Sequence, residues 1–160
     1  MKNNKPKYFI LDVDGVLTNG QFIYDNKGKK FKIFGPDDAD ALNILKKYIN
    51  ILFVTADKKG LSISKKRVTK DMGFKLYLVN SVSRANWINK KFGLKKVIYM
   101  GDGFYDYLVM SKVFYSISTK DSDINAKKSS NYITKRAGGS RAVAEAATHI
   151  MKKFFNKKII

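Results

Sequence analysis

The chain has no cysteine, which excludes disulfides, thiolate zinc sites and thiol nucleophiles together. It has only two prolines and no Pro/Gly/Ser-rich stretch, so no linker divides it. No apolar run approaches the roughly 18–20 residues that a membrane span requires. The basic start, Met1 to Lys7, is not followed by a long apolar region or a small-residue cleavage site, so no signal peptide is expected. These absences lead to the expectation of a cytoplasmic domain. Acidic residues are scarce, 13 against 32 basic, giving a formal net charge of +19. Such an excess can serve nucleic acid, anionic membrane or an anionic substrate. Arginine is scarce too: only Arg67, Arg84, Arg136 and Arg141 are present, and the lysines are spread over the whole chain. Specific phosphate and base readout leans on arginine forks, so the lysines read as a diffuse solvated coat.

What is present is ordinary for a globular domain: 160 residues, 44% apolar and 28% charged. We read residues 1–160 as one domain, long enough to bury roughly 70% of its unfolded surface. The apolar run before Asp12 predicts a strand. Gln21–Tyr24 and Lys30–Phe34 flank the turn-rich Asp25–Lys29, which predicts a β-hairpin over about 20–34. Pro36-Asp37-Asp38 opens a helix with Leu42, Leu45 and Ile49 at helical spacing. Further strands are expected at Ile51–Thr55, Leu76–Val79, Val97–Met100, Phe114–Ile117 and Tyr132–Thr134. Helices are expected near Gly60–Met72, Trp87–Phe92, Tyr107–Lys112 and Ser140–Phe155. The alternation implies an α/β fold, a doubly wound Rossmann-like parallel sheet with helices on both faces.

In such sheets functional groups gather beyond the carboxyl ends of the strands. Three strands end in polar residues: Asp12 and Asp14 after the first, Thr55 after the second, Asp102 with Asp106 after the third. Carboxylates at i and i+2 can leave an extended segment on one side, so Asp12 and Asp14 can face one ligand. Clustered carboxylates repel unless a cation sits among them, and Asp102 would complete an all-oxygen site suited to Mg²⁺. Each piece alone has a dull alternative, since Asp-x-Asp-Gly and Gly-Asp-Gly are common turns and a strand-end Thr often caps a helix. Their order along the chain is the specific signal.

That order resembles the haloacid dehalogenase (HAD) superfamily. Phe9-Ile-Leu-Asp-Val-Asp-Gly-Val-Leu-Thr18 is similar to its first motif, Ile51–Thr55 to its second, and Gly101-Asp102 with Asp106 to its fourth. Within it, the chain resembles the capless phosphatases of 3-deoxy-D-manno-octulosonate (KDO) 8-phosphate and related nonulosonate 9-phosphates. The likeness rests on Leu17–Gly20 with the hairpin behind it, Phe34 followed by Asp38, and Ala137–Ser140 with Ala142, Val143 and Glu145. The resemblance implies a phosphoaspartate mechanism, with Asp12 as nucleophile and Asp14 as acid and then base. It implies Mg²⁺ held by Asp12, Asp102 and the backbone carbonyl of Asp14, with Asp106 behind the metal or orienting the third-motif cation. Thr55 and backbone N–H groups around Gly15 and Ala56 would hold phosphate oxygens. The third-motif cation, a lysine in the family, falls on Arg84 counting forward from Gly73 and nearer Ser81 counting back from Gly101. We assign Arg84, because the site requires a cation and guanidinium clamps phosphate.

The chain departs from the family pattern at Thr55-Ala56-Asp57, where relatives have Thr-Gly-Arg, and at Ala144, where they have Arg. Asp38, Arg136 and Arg141 are candidate substrate contacts, while acids at 37, 38 and 40 also suit a first helical turn. His149 reads as packing. The hairpin and assigned helices use up the stretches where larger relatives insert a cap. Capless relatives form tetramers, so a homotetramer is expected, with Phe22, Tyr24, Phe31 and Phe34 as anchors. The expected function is a Mg²⁺-dependent phosphosugar phosphatase serving surface-polysaccharide synthesis. The alternatives are a phosphatase of nucleic-acid ends, a non-catalytic metal- or phosphate-binding module and, last, a receiver-type signalling domain.

Overall fold

The run Tyr-Phe-Ile-Leu carries apolar side chains on both sides of the backbone, which suits a strand buried on both faces. It forms β1 (Tyr8–Asp12), inside a six-stranded sheet. The computed structural model describes residues 5–158. After β1 the chain makes β2 (Thr18–Asp25) and β3 (Gly28–Phe34), an antiparallel hairpin separate from the main sheet. Helix α1 (Asp38–Leu45) leads back to β4 (Asn50–Thr55) beside β1. Helix α2 (Leu61–Lys65) and a π-helical stretch at Lys66–Asp71 precede β5 (Lys75–Leu78), the outer strand on that side. Helix α3 (Arg84–Phe92) then takes the chain to β6 (Val97–Gly101) on the opposite flank of β1. Helix α4 (Tyr107–Met110), β7 (Tyr115–Ser118), α5 (Ile124–Lys128), β8 (Tyr132–Ile133) and α6 (Ala142–Phe155) complete the chain. The order β5-β4-β1-β6-β7-β8, parallel throughout, is the doubly wound arrangement that the sequence predicts. Among the described residues no cap is inserted, and no helix is long and apolar enough to cross a membrane.

Alternation along β1 divides the core. Phe9 and Leu11 pack with Leu42, Leu45, Val68, Ala146 and Ile150 on one face. Ile10 packs with Ile88, Val109, Met110 and Ala126 on the other. Several boundaries differ from the sequence pattern for identifiable reasons. The first helix stops at Leu45 rather than running on to Ile49, because the Asn50 N–H is drawn into the sheet by Lys7 O (3.1 Å). The 60–72 helix is α-helical only to Lys65; the Met72 N–H reaches back five residues to Arg67 O (3.0 Å), the widened turn of a π-bulge. Helix α3 begins earlier than the pattern suggests, at Arg84, and α5 has no apolar periodicity to announce it. Only Ala126 of α5 is buried, and the Asp123 side chain caps it by accepting the Asn125 N–H (2.8 Å).

Candidate active site

The chain returns on one side of β1 through β4 and later on the other through β6, so strand order reverses at the carboxyl end of β1. Ligands in open α/β sheets bind at that crevice. Asp12 ends β1, Thr55 ends β4 and Asp102 follows β6 directly, which brings the three motifs together. Carboxylate oxygens of Asp12, Asp102 and Asp106 lie within 4.8 Å of one another. Gly15 makes the approach possible. Its φ of +83° suits glycine, and a Cβ there would strike the Asp102 carboxylate.

Arg84, at the start of α3, is 2% exposed and enters the acidic cluster from below. Its Nη1 lies 3.4 Å from Asp12 Oδ1 and 3.2 Å from Asp106 Oδ1, and donates to the Tyr99 hydroxyl oxygen (2.8 Å). Of the two candidates, Arg84 is the one whose cation lies beside Asp12 and Asp106. Burial works against the guanidinium's charge, yet Tyr99, Asp12 and Asp106 together hold its pKa above the ordinary arginine value. Asp106 accepts from Arg84, from the Tyr99 hydroxyl (2.6 Å), and from the N–H groups of Asp102 (2.9 Å) and Gly103 (2.8 Å). Fully engaged in this way, Asp106 is an organiser of the loop and of Arg84 rather than a free ligand.

Asp12 and Asp102 are different. Burial pushes Asp12 up to about 7, Arg84 opposing and Asp106 and Asp14 adding to the rise. Burial pushes Asp102 up to about 9, with Asp12 and Asp106 adding. Asp102 Oδ1 is buried with no hydrogen-bond partner. Three carboxylates thus converge beside one guanidinium, which touches Asp12 and Asp106, and a hard divalent cation would offset the repulsion among them. The donor set fits such an ion, and Asp12 and Asp102 are the side chains free to hold it.

The Asp14 side chain lies outside that cluster. It accepts from Thr55 Oγ1 (3.3 Å) and pairs with Lys32 Nζ (2.7 Å). Only its backbone carbonyl remains for the metal role that the family resemblance implies. Thr55 is fully buried and also accepts the Asp57 N–H (3.1 Å). The Gly15 N–H is donated to Thr18 Oγ1 (3.1 Å), since the tight turn at Val13–Thr18 folds that hydroxyl back. Ala56 sits exposed at the mouth.

The candidate substrate contacts lie elsewhere. Asp38 is buried and accepts the Ala144 N–H (2.9 Å), tying α1 to α6. Burial pushes its carboxyl up to about 6, that hydrogen bond opposing. Arg141 pairs with Asp37, and with Arg136 it lines a groove of about 500 Å³ along α6 that Asp12, Asp14, Thr55, Arg84, Asp102 and Asp106 do not line. His149 packs in that groove, its ring stacked on Tyr132 at 3.8 Å. Sequence reasoning missed Lys32 and Tyr99. The signal for Lys32 was strand alternation, which turns it away from Phe31 and Ile33.

No family model matches the chain. A KDO 8-phosphate phosphatase of Haemophilus influenzae is 26% identical over 151 residues, covering 91% of this chain and 83% of that protein. Among solved structures, the KDO 8-phosphate phosphatase of Moraxella catarrhalis, in complex with magnesium, phosphate and KDO, has a TM-score of 0.82 and 28% identity, covering 97% of this chain and 91% of that one. A HAD superfamily (subfamily III A) hydrolase from Legionella pneumophila gives 0.79 and 26%, with 94% and 85% covered.

Proposed function

We propose, on the premise that this chain is a phosphatase of the haloacid dehalogenase type similar to KDO 8-phosphate phosphatases, that it cleaves a sugar phosphate through a phosphoaspartate at Asp12. The substrate class is a 3-deoxy-octulosonate or nonulosonate phosphate, or a related surface-polysaccharide precursor. The observation that carries this reading is the clustering of Asp12 and Asp102 at the switch point of the sheet, with the buried Arg84 beside Asp12.

Asp12 attacks phosphorus in line, forming the P–O bond to its carboxylate as the P–O bond to the sugar breaks. Asp14 gives its proton to the departing sugar oxygen. Water then attacks the same phosphorus, Asp14 takes the water's proton, and the bond to Asp12 breaks to release inorganic phosphate. Arg84 holds positive charge beside Asp12 throughout, and Thr55 Oγ1 keeps the Asp14 carboxylate turned toward the site. Asp12, Asp102 and the backbone carbonyl of Asp14 would hold Mg²⁺, which would supply the charge that lets an anionic nucleophile meet a dianionic phosphate. The hairpin's exposed Phe22, Tyr24 and Phe31 favour assembly into the homotetramer that the resemblance implies, in the cytoplasm.

The test is phosphate release from octulosonate and nonulosonate phosphates, simpler sugar phosphates and a 3′-phosphorylated oligonucleotide, each with Mg²⁺ and with chelator. Mg²⁺-dependent release from a sugar acid phosphate is the expected result. Release confined to the oligonucleotide would transfer the activity to nucleic-acid ends, and no release at all would leave a binding module.

A further inference from the structure

The hairpin inverts the usual pattern of a surface strand. Along β3, Phe31 is exposed and Ile33 also faces out, while the one fully buried position is a lysine. The Lys32 side chain is 0% exposed. Its ammonium donates to Ser64 Oγ on α2 (2.8 Å) and pairs with Asp14 Oδ1 (2.7 Å) and Asp57 Oδ2 (2.9 Å). A buried ammonium is costly unless its surroundings compensate it. Here two carboxylates and a hydroxyl, from three separate parts of the chain, do so.

Asp57 stands at one of the chain's departures from the family pattern, and its charge is consumed within the hairpin's reach. Lys29 Nζ lies 2.5 Å from Asp57 Oδ2, and the Gly60 N–H is donated to Oδ1 (3.0 Å). Burial would raise its pKa, but Lys29, Lys32 and that N–H hold it down at about 2. Asp57 therefore anchors Lys32 from behind, while the face of the ammonium toward β1 meets Asp14. The contact with Asp14 is an ion pair rather than an aligned hydrogen bond, so it fixes where the carboxylate lies and leaves Oδ2 to Thr55.

We infer that Lys32 is a positioning residue for Asp14, by which the hairpin sets the aim of the group that protonates the leaving oxygen. The inference rests on the phosphatase reading and deepens it. The ammonium touches neither Asp12 nor the acidic cluster in any contact of the described residues, so its influence runs through Asp14. Loss of that aim matters in proportion to how much the departing oxygen needs a proton. A sugar alkoxide cannot leave without one, whereas an aryl oxide such as p-nitrophenolate leaves unaided.

The experiment compares wild type and Lys32→Met on a sugar phosphate and on p-nitrophenyl phosphate, with Mg²⁺, reading in single turnovers the rate of leaving-group release, the step that precedes the action of Asp14 as base, together with KM. The expected result is a fall in that release rate on the order of 100-fold for the sugar phosphate, with p-nitrophenolate release within about threefold of wild type. KM should be little changed for either. An equal fall for both substrates, or a loss confined to KM, would overturn the inference in favour of a structural or phosphate-binding role. No fall in either would overturn it as well. Should Lys32→Met fail to fold, Lys32→Met with Asp57→Asn removes the stranded carboxylate and is read by the same ratio. Wild-type turnover of p-nitrophenyl phosphate, abolished by Asp12→Asn, establishes the underlying phosphatase reading separately. Its absence would remove that reading and the inference together.

Discussion

Asp12→Asn is expected to lower phosphate release from every substrate by at least about 10⁴-fold, the scale seen when the nucleophile of a covalent mechanism is removed. The amide keeps the shape of the side chain but cannot attack phosphorus. The same replacement should help the metal-free fold. A carboxyl whose folded pKa is raised contributes stability that is fully present below its unfolded value and is lost as pH rises through the folded one. For Asp12 that window runs from its ordinary value of 3.8 to about 7. Without Mg²⁺ the wild type should therefore lose stability between about pH 4 and pH 7 in urea unfolding, and Asp12→Asn should lose less. A variant that stayed active, or that steepened the pH dependence, would contradict the placement of Asp12.

Arg84→Met should have the second largest effect, on stability and on rate together. It leaves Asp106 and the Tyr99 hydroxyl buried around a missing charge, and breaking a buried pair by removing one partner costs about 3–5 kcal/mol. Removing the buried cation beside Asp12 should also cost about 10²–10³ in kcat, as for loss of a preorganised electrostatic donor. Arg84→Lys keeps the charge but cannot span both Asp106 and Tyr99, so it should recover more rate than stability. Urea unfolding and steady-state kinetics on the same preparations check both. Full activity in Arg84→Met would return the cation role to another residue.

The parallel sheet was legible because its central strands are continuous apolar runs ending in Asp, Thr and Gly-Asp, and burial on both faces demands such runs. The meeting of Asp12, Asp102 and Asp106 at the end of β1 followed from those endings. What escaped depends on contacts far apart in sequence. The counts forward from Gly73 and back from Gly101 disagree on the third-motif cation, and only contacts made in the fold, with Asp12 and Asp106, distinguish Arg84. Tyr99 reads as one more apolar strand residue until its hydroxyl meets Asp106. Lys32 reads as part of the lysine coat until the hairpin folds it under Asp14. Most of the +19 charge is a solvated coat, and the residues within it that matter are distinguished by burial rather than composition. The hydrogen bond from the Gly15 N–H to Thr18 Oγ1 is likewise a product of the turn and not of the motif's spelling.

The claim most in need of direct test is that Asp12 itself carries the phosphoryl group. Wild-type protein turning over a sugar phosphate with Mg²⁺ would be acid-quenched, reduced with borohydride and digested, and the peptide containing residues 8–15 read by mass spectrometry. Borohydride converts an acyl phosphate to the alcohol, so the account predicts homoserine in place of aspartate at position 12 and unmodified aspartate at position 14. Reduction at any other carboxylate, or an unmodified peptide from protein that is releasing phosphate, would contradict it.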